Sequence, residues 1–375
     1  MRAGGPVRAG RAGAQQVGLG CCRPWVYVEP HAPPGASAVG RAQTCRLRAN
    51  WLRLGVHCHS VPNYLQLLFL ILPVFALIGV GVAVRRVHWI EGEAEGSLIR
   101  LVVNLLYPCI IFESVAGNAA LRIPENLLLP PLVGFGVTWF GLHAGRLVAR
   151  WIGLHVGSGL RTFALAVGIA NYGYLPIPIM EAIWGPESRG VLLVHNVGVE
   201  AAIWTVGVLL LSGQSLRAGW RKLVSPVMIT LVLAVASNLT GATALLPAFV
   251  TATIHALAVC AIPLGLIMTG VNLAQYLHAP RELFDLKVST AALVLRLGVL
   301  PVFILVLAKF LPCSLELKRV LIVQAAMPTA MIPIILAKHY GGHPRTAVQI
   351  VLGTTAVGVF VIPLWLRVGQ AWLGF

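Results

Sequence analysis

Charged residues are scarce in this 375-residue sequence, and acidic residues are the scarcest. Only 11% of the residues are Asp, Glu, Lys or Arg, with 12 acidic against 28 basic, whereas 58% are hydrophobic. A soluble domain is typically about 25% charged and about 45–50% apolar. A soluble chain of this composition could not cover itself with polar surface. The composition therefore predicts an integral membrane protein that crosses the bilayer many times.

Sequence motifs for enzymes, cofactors and metals are also missing. The absence of G-x-x-x-x-G-K-[ST] argues against ATP-driven transport, and the absence of H-E-x-x-H and G-x-S-x-G argues against the commoner intramembrane hydrolases. The seven cysteines include no C-x-x-C pair. We therefore predict no enzymatic activity, no cofactor and no metal site.

Basic residues outnumber acidic ones but are not gathered on one surface. The formal net charge is +16, yet eight of the 28 Lys and Arg lie in residues 1–60 and most others sit in short loops between apolar runs. Nucleic-acid binding would need a clustered basic surface. We therefore predict no nucleic-acid partner and a lipid bilayer as the surroundings of the chain.

Residues 1–60 differ from everything after them. They are rich in Ala, Gly and Arg, hold Glu29 as their single acidic residue, and contain no apolar run long enough for the core of a signal peptide. A disordered basic tail, an organelle transit peptide and translation from a mis-called start all fit this composition. We favour the mis-called start, with the membrane protein beginning near residue 61.

Ten apolar runs follow, each long enough to cross a hydrocarbon core of about 30 Å, which takes about 20 helical residues. Short loops join them and leave no room for a soluble domain. The predicted spans are 63–84, 97–116, 126–149, 162–183, 189–212, 223–241, 249–277, 288–310, 319–338 and 346–369. The predicted fold class is therefore an all-α polytopic membrane protein with ten transmembrane helices.

The ten spans divide into two halves of five, residues 61–213 and 214–375. Because five is odd, the second half enters the membrane in the opposite direction, which makes an inverted repeat. Lys and Arg number twelve in the loops after odd-numbered spans and six in the other loops, excluding the tail. By the positive-inside rule, the odd-numbered loops face the cytoplasm and both termini lie outside.

Prolines fall in the fourth span of each half. Span 4 carries Pro176 and Pro178, and span 9 carries Pro328 and Pro333. A proline inside a helix costs about 3 kcal/mol, although prolines are also simply commoner in membrane helices. Matched interruptions in two halves are typical of transporter binding sites, and the N-termini of half-helices attract anions. We therefore predict discontinuous helices 4 and 9 that cross and form a substrate site.

Several segments resemble one family of membrane proteins. The sequence carries "MPTAMIPIILAKHYGGHP" before a span that ends "VIPLWL", and also "NLLYPCIIF", "NYGYLPIPI" and "LRLGVLP". Over residues 63–375 the chain resembles the auxin efflux carrier family of permeases. The short stretch "GQSLRAGWRKL" after span 5 is similar to the compact bacterial type, which has no long loop there.

The resemblance implies a secondary-active transporter of small organic anions, such as mono- or dicarboxylates or indole acids, in the cytoplasmic membrane of a bacterium. It also implies two inverted five-helix repeats, in which spans 1, 2, 6 and 7 form a scaffold and the others a moving transport domain. Whether the protein forms a homodimer is left open. The alternative is a channel or receptor subunit that uses the same fold without coupled transport.

Residues that flank the interruptions are the predicted substrate contacts. The amide of Asn171 suits a carboxylate, although Asn also caps helices well. Prolines at the crossing would set its shape, and neighbouring tyrosines would line the pocket or anchor at an interface. The predicted substrate-binding residues are Asn171, Tyr172, Gly173, Pro178, Met327, Pro328 and Thr329.

Charged side chains inside spans cost about 3 kcal/mol or more at the bilayer centre unless they are paired. Glu200 falls midway along span 5 and Arg296 well inside span 8. We therefore predict that they pair as buried ions, directly or through one water, with a mainly structural role. A rival interpretation makes Glu200 a proton carrier with His195 as its relay. In a third interpretation, His195 is a core histidine that is bonded to a neighbouring carbonyl. Gly141 and Gly145 form a G-x-x-x-G pattern that predicts close helix packing.

Overall fold

A computed structural model of this protein describes residues 62–212, 225–277 and 285–375. The predictions for residues 1–60 and for the loop after span 5 lie outside this range. Within it the chain is helical, and its one extended pairing is an antiparallel bridge between Ala170 and Thr329. The predicted all-α class is thereby confirmed.

The helices of the described residues are labelled α1 to α12 in chain order, setting aside short 3-10 turns. They are α1 (Tyr64–Arg86), α2 (Gly92–Ala116), α3 (Glu125–Trp151), α4 (Leu160–Gly168), α5 (Pro176–Trp184), α6 (Pro186–Leu211), α7 (Pro226–Thr240), α8 (Ala248–Ala274), α9 (Leu286–Phe310), α10 (Leu315–Ala326), α11 (Ile332–His339) and α12 (Pro344–Leu373). Seven of them, α1, α2, α3, α6, α8, α9 and α12, are long and apolar enough to cross a membrane. The chain is therefore a multi-pass membrane protein, and the shorter helices fall on predicted spans 4, 6 and 9.

Predicted spans 4 and 9 each consist of two short helices with a non-helical segment between them. Residues 169–175 form the first interruption and residues 327–331 the second, and the place where the two meet is called the crossing. Helix α4 ends at Gly168, and Ile169 then adopts an extended backbone with φ −101° and ψ 106°. Helix α5 begins with Pro176, and Pro333 lies in the first turn of α11. Proline is tolerated in a first turn because its missing N–H would have no partner there. These prolines begin half-helices and do not kink continuous ones.

Polar side chains begin several of the other helices by capping their free N–H groups. Asn63 and Gln66 form a reciprocal capping box at the start of α1, with bonds of 2.9 and 3.0 Å. The Asp285 side chain accepts from the Lys287 backbone N–H at the start of α9. The Ser314 hydroxyl accepts from the Leu317 backbone N–H at the start of α10. Local sequence therefore sets these boundaries.

The helices pack mainly in two groups. In the first, α1 and α2 both pack on α8, and α2 also packs on α7. In the second, α3 packs on α4 and α6, while α9, α10 and α12 pack on one another and α12 also contacts α4. Contacts of α1 with α12 and of α2 with α6 join the groups. The first group contains the spans that the resemblance assigns to a scaffold.

Small residues allow the closest approach inside the second group. A Cβ atom added at Gly141 would lie 3.0 Å from the Gly168 carbonyl oxygen, and one at Gly145 would lie 2.9 Å from the Ala164 Cα. A Cβ on Gly168 itself would come within 2.6 Å of the Leu142 backbone nitrogen. The predicted G-x-x-x-G packing is confirmed, and it joins α3 to the last turn of α4.

Three of the long helices contain a π turn, in which one extra residue is inserted into the helix. These turns are Val102–Leu106 in α2, Ile203–Gly207 in α6 and Leu295–Val299 in α9. Such turns occur frequently at functional sites because they re-aim side chains. Trp204 lies in the second turn and Arg296 in the third.

Candidate functional site

The two interruptions lie against each other in antiparallel orientation. The Asn171 N–H donates to the Pro328 carbonyl at 2.7 Å, and the Ala330 N–H donates to the Ile169 carbonyl at 3.0 Å. The Thr329 N–H donates to the Thr354 hydroxyl of α12 at 3.2 Å. Backbone groups of the two extended segments thus find partners within the protein.

A cavity of about 450 Å³ lies beside this crossing. Helices α2 and α8 bound it on one side, and the first interruption, α6 and the start of α11 bound it on the other. Its aromatic and charged lining residues are Tyr107, Tyr172, Tyr174, Glu200 and Trp204, and its other polar lining residues are Asn171, Ser225, Thr269 and Asn272. The cavity therefore combines aromatic walls with a few polar groups, as small-molecule sites do.

Glu200 is the centre of the polar part of the cavity. Its carboxylate accepts a hydrogen bond of 2.8 Å from the Tyr172 hydroxyl and one of 2.7 Å from the Trp204 indole N–H. The Asn196 side-chain N–H donates to the Tyr172 carbonyl at 2.7 Å. Because α6 supplies Asn196, Glu200 and Trp204, one helix face holds the first interruption in place and points a carboxyl group at it.

The aromatic wall comes from both helix groups. The Tyr107 ring of α2 and the Tyr174 ring of the first interruption meet edge to face, with centroids 5.4 Å apart. A Cβ on Gly265 of α8 would come within 2.4 Å of the Tyr174 ring, so the absence of a side chain at this position makes room for the tyrosine. These contacts place the cavity at the boundary between the groups.

Three of the predicted substrate contacts line this cavity, namely Asn171, Tyr172 and Gly173. The helix-capping alternative for Asn171 does not hold, because α5 begins only at Pro176 and Leu175 is the residue before it. These three residues lie together on the cavity wall, and their contact with a substrate stays a prediction.

The structure does not bring the other four predicted contacts to the cavity wall. Met327, Pro328 and Thr329 are buried beneath the crossing, and Pro178 lies in the first turn of α5. The neighbouring Ala330 and Met331 line the cavity instead.

Sequence reasoning missed the residues that α2 and α8 supply. Tyr107, Thr269 and Asn272 line the cavity from helices without an interruption. Tyr107 directly follows a π turn, and Asn272 also donates to the buried Glu95 carboxylate at 3.1 Å. The signal in the sequence that could have found them is a polar residue, such as Asn272, inside an otherwise apolar span.

Glu200 and Arg296 form no direct ion pair among the described residues, and a pairing through one water stays a prediction. Arg296 occurs in none of the ion pairs among the described residues, which join Arg85 to Glu95, Arg189 to Glu181 and His255 to Glu113. Glu200 is bonded to Tyr172 and Trp204, whereas Arg296 donates to backbone carbonyls. The hydrogen-bond partners of both side chains are thus neutral groups.

His195 is a core residue that does not line the cavity. It is 2% exposed, its Nδ1 lies 3.5 Å from the Asn196 side-chain oxygen, and its Nε2 has no hydrogen-bond partner among the described residues. The ring is thus buried, as in the core interpretation, and the carbonyl oxygen that it reaches belongs to the Asn196 side chain. Tyr172 and Trp204, not His195, contact Glu200.

A helical multi-pass chain with a small-molecule cavity between two helix groups has the form of a membrane carrier. The family described as membrane transport protein matches the chain twice, at residues 66–219 and 215–366. The chain therefore belongs to this family, and the resemblance to the auxin efflux carriers is confirmed. Membership makes the protein a membrane transporter, as predicted, and not an enzyme.

Two archaeal proteins illustrate the relationship. An uncharacterized transporter of Methanothermobacter thermautotrophicus is 27% identical over 304 residues, which cover 79% of this chain and 96% of the relative. An uncharacterized transporter of Methanocaldococcus jannaschii is 23% identical over 308 residues, with the same coverage of 79% and 96%. The similarity thus extends over nearly the whole of each relative.

Proposed function

We propose that the protein is a secondary-active carrier of small organic anions, with the substrate held in the cavity beside the crossing. The position of this cavity carries the proposal, because the cavity lies between the two helix groups and residues of both line it. Movement of one group past the other would open such a cavity to each side of the membrane in turn.

The proposal takes the shorter helices as membrane crossings. Helix α7 and the pairs α4–α5 and α10–α11 then complete ten spans, arranged as two inverted repeats over residues 61–213 and 214–375. Irregular backbone is tolerated at membrane depth only where protein or a cavity satisfies it, and the hydrogen bonds between the interruptions meet this requirement. A bacterial cytoplasmic membrane, with both termini outside, belongs to the same proposal.

Asn171, Tyr172 and Gly173 are the proposed substrate contacts. They are half-buried in a cavity whose volume, about 450 Å³, is within the range of small-molecule sites. The Asn171 amide can donate to a carboxylate, while Tyr107, Tyr174 and Trp204 offer flat apolar faces. An organic acid with a short or planar carbon skeleton suits both features.

Glu200 determines how an anion can bind. Among the described residues it is the one charged side chain that lines the cavity. An ionised Glu200 would repel a carboxylate a few ångströms away, so an anion binds when Glu200 is protonated. Each bound anion is then accompanied by a proton, which supports proton-coupled carriage.

The carboxyl group of Glu200 among the aromatic rings of the cavity favours a second candidate, a carrier of organic ammonium ions. An ionised Glu200 with aromatic rings around it suits a cation through charge attraction and cation–π contacts, which contribute about 0.5–2 kcal/mol. The two candidates give opposite responses to pH, because acid promotes anion binding and weakens ammonium binding.

Two probes with the same ring and opposite charge separate the candidates. Binding of indole-3-acetate and of tryptamine to the purified protein would be measured by calorimetry at acidic and at neutral pH. The anion proposal expects indole-3-acetate to bind more tightly in acid, and Glu200→Gln to bind it without dependence on pH. Tight binding of tryptamine at neutral pH, lost in Glu200→Gln, would instead establish the ammonium candidate.

The channel alternative is tested by exchange. Proteoliposomes preloaded with unlabelled indole-3-acetate should take up labelled indole-3-acetate faster than empty ones if the protein is a carrier. A channel shows no such acceleration, because it lets solute pass in each direction independently. Equal uptake with both kinds of vesicle would contradict carriage. A receptor subunit would show binding and no uptake.

A further inference from the structure

Arg296 is a buried cation without an acidic partner. It is 2% exposed, and none of the ion pairs of the described residues includes it. A buried charge is costly unless neighbouring groups compensate it. Its surroundings must therefore supply negative potential from another source.

That source is the C-terminus of a half-helix. The Arg296 Nε donates to the Met327 carbonyl at 2.9 Å and its Nη2 donates to the Gln324 carbonyl at 3.3 Å. Gln324 lies in the last turn of α10, and Met327 directly follows its last residue, Ala326. The last carbonyls of a helix lack helical partners, and the helix dipole gives this end a partial negative charge. The guanidinium group thus completes the end of α10.

The π turn of α9 directs Arg296 to this position. Residues Leu295–Val299 form the turn, and the Trp365 indole N–H of α12 donates to the Leu297 carbonyl at 2.7 Å. The Trp365 indole and the end of α10 therefore both hydrogen-bond to the π turn that contains Arg296. Arg296 is therefore a buried side chain with fixed neighbours and not a flexible side chain at the surface.

The equivalent end in the first interruption is closed differently. The last turn of α4 packs on the backbone of α3, where Gly141 leaves no room for a side chain beside Gly168. The last turn of α4 is thus packed against glycine backbone, whereas the end of α10 is hydrogen-bonded to a cation.

We infer that Arg296 is a resident cation that takes the place of a dissociable one. Carriers with broken helices coordinate sodium ions or protons with carbonyls at the C-terminal ends of half-helices, and here two such carbonyls are bonded to a covalently attached guanidinium. The second interruption is therefore stabilised without sodium. Arg296 is a positioning residue, and the inference does not depend on which substrate the cavity holds.

Thermal unfolding of the purified full chain in detergent tests the inference through ion selectivity. The wild-type midpoint should be the same in sodium chloride and in choline chloride at equal ionic strength. Arg296→Ala in choline chloride should unfold at a lower temperature by about 5 °C or more, as expected for a buried helix end left without a partner. Millimolar guanidinium or sodium should restore much of this loss, because either ion can occupy the vacated position.

Arg345→Ala provides the matched control. Arg345 is exposed in the first turn of α12, so its removal should leave the midpoint unchanged and insensitive to the choice of cation. Arg296→Lys keeps a positive charge with fewer donors and should fall between wild type and Arg296→Ala, with weaker rescue.

Three results would overturn the inference. Saturable stabilisation of the wild-type protein by sodium relative to choline would show that a dissociable ion is still needed. An Arg296→Ala protein as stable as wild type in choline would show that the end of α10 needs no cation. Loss of stability that no cation restores would make Arg296 a packing residue only. If Arg296→Ala does not fold, the wild-type and Arg296→Lys measurements still decide.

Discussion

The two interruptions have similar backbones but differ in what their side chains reach. In the first, Asn171 to Tyr174 are half-buried and line the cavity, whereas Met327 and Thr329 of the second are 0% and 1% exposed. The helix before the first interruption ends on glycine backbone, and the helix before the second ends on Arg296. The first interruption thus lines the cavity through four consecutive residues, whereas the second contributes Ala330 and Met331 and keeps Met327 and Thr329 buried.

The largest expected effect concerns the end of α4. Gly168→Ala would place a Cβ 2.6 Å from the Leu142 backbone nitrogen, so the backbones of α3 and α4 must separate. We expect a loss of about 3 kcal/mol in the free energy of unfolding, at the upper end of the usual range for overpacking. Chemical denaturation in mild detergent, followed by fluorescence, would measure it.

Gly136→Ala is the control for this substitution, since a Cβ at Gly136 of α3 meets nothing within 4 Å. Its free energy of unfolding should stay within about 0.5 kcal/mol of wild type. If Gly168→Ala were equally neutral, close backbone contact would not be what closes the end of α4. The end of α4 could then no longer be contrasted, as a helix end packed on glycine backbone, with the end of α10, which is bonded to Arg296.

The next effect concerns ligand binding. Asn171→Ala should weaken binding of indole-3-acetate by about 1–3 kcal/mol, because it removes a donor from a largely desolvated carboxylate. Thr329→Val in the second interruption should leave the affinity unchanged, since its hydroxyl is buried and has no partner among the described residues. Calorimetric titration of both variants would compare the interruptions directly. Equal losses of affinity would mean that both contact the ligand.

The smallest effect separates two tyrosines within the first interruption. Tyr172→Phe removes the hydrogen bond to Glu200 and should lower the free energy of unfolding by about 1 kcal/mol. Tyr174→Phe should change it less, because Tyr174 contributes mainly its ring, edge to face with Tyr107. Thermal unfolding of the two variants side by side is the measurement. A larger loss in Tyr174→Phe would reverse these assignments.

Local features of the fold could be predicted from the sequence because proline and glycine act on their immediate neighbours. Pro176 and Pro333 mark the two half-helix starts, and Gly141 with Gly145 marks a close helix contact. These effects depend on backbone geometry over one or two turns. The spacing of such residues along the chain is therefore enough to locate them.

Contacts between distant helices could not be predicted in the same way. The sequence places Glu200 and Arg296 at similar depths in the membrane but does not say which way each helix face points. The partners of Arg296 are backbone carbonyls, which carry no sequence signal, and its π turn alters the helical phase by one residue. Tyr107 reaches the cavity from α2, far from either interruption in sequence.

The antiparallel bridge between the interruptions has a mechanical consequence. Hydrogen bonds on both sides of Ala170 and Thr329 link α4 and α5 to α10 and α11, so tilting one pair of half-helices strains the other. These four helices should therefore move together as a single rigid body. In the proposed carrier, movement of these helices relative to α2 and α8 would change the volume of the cavity that both sides line.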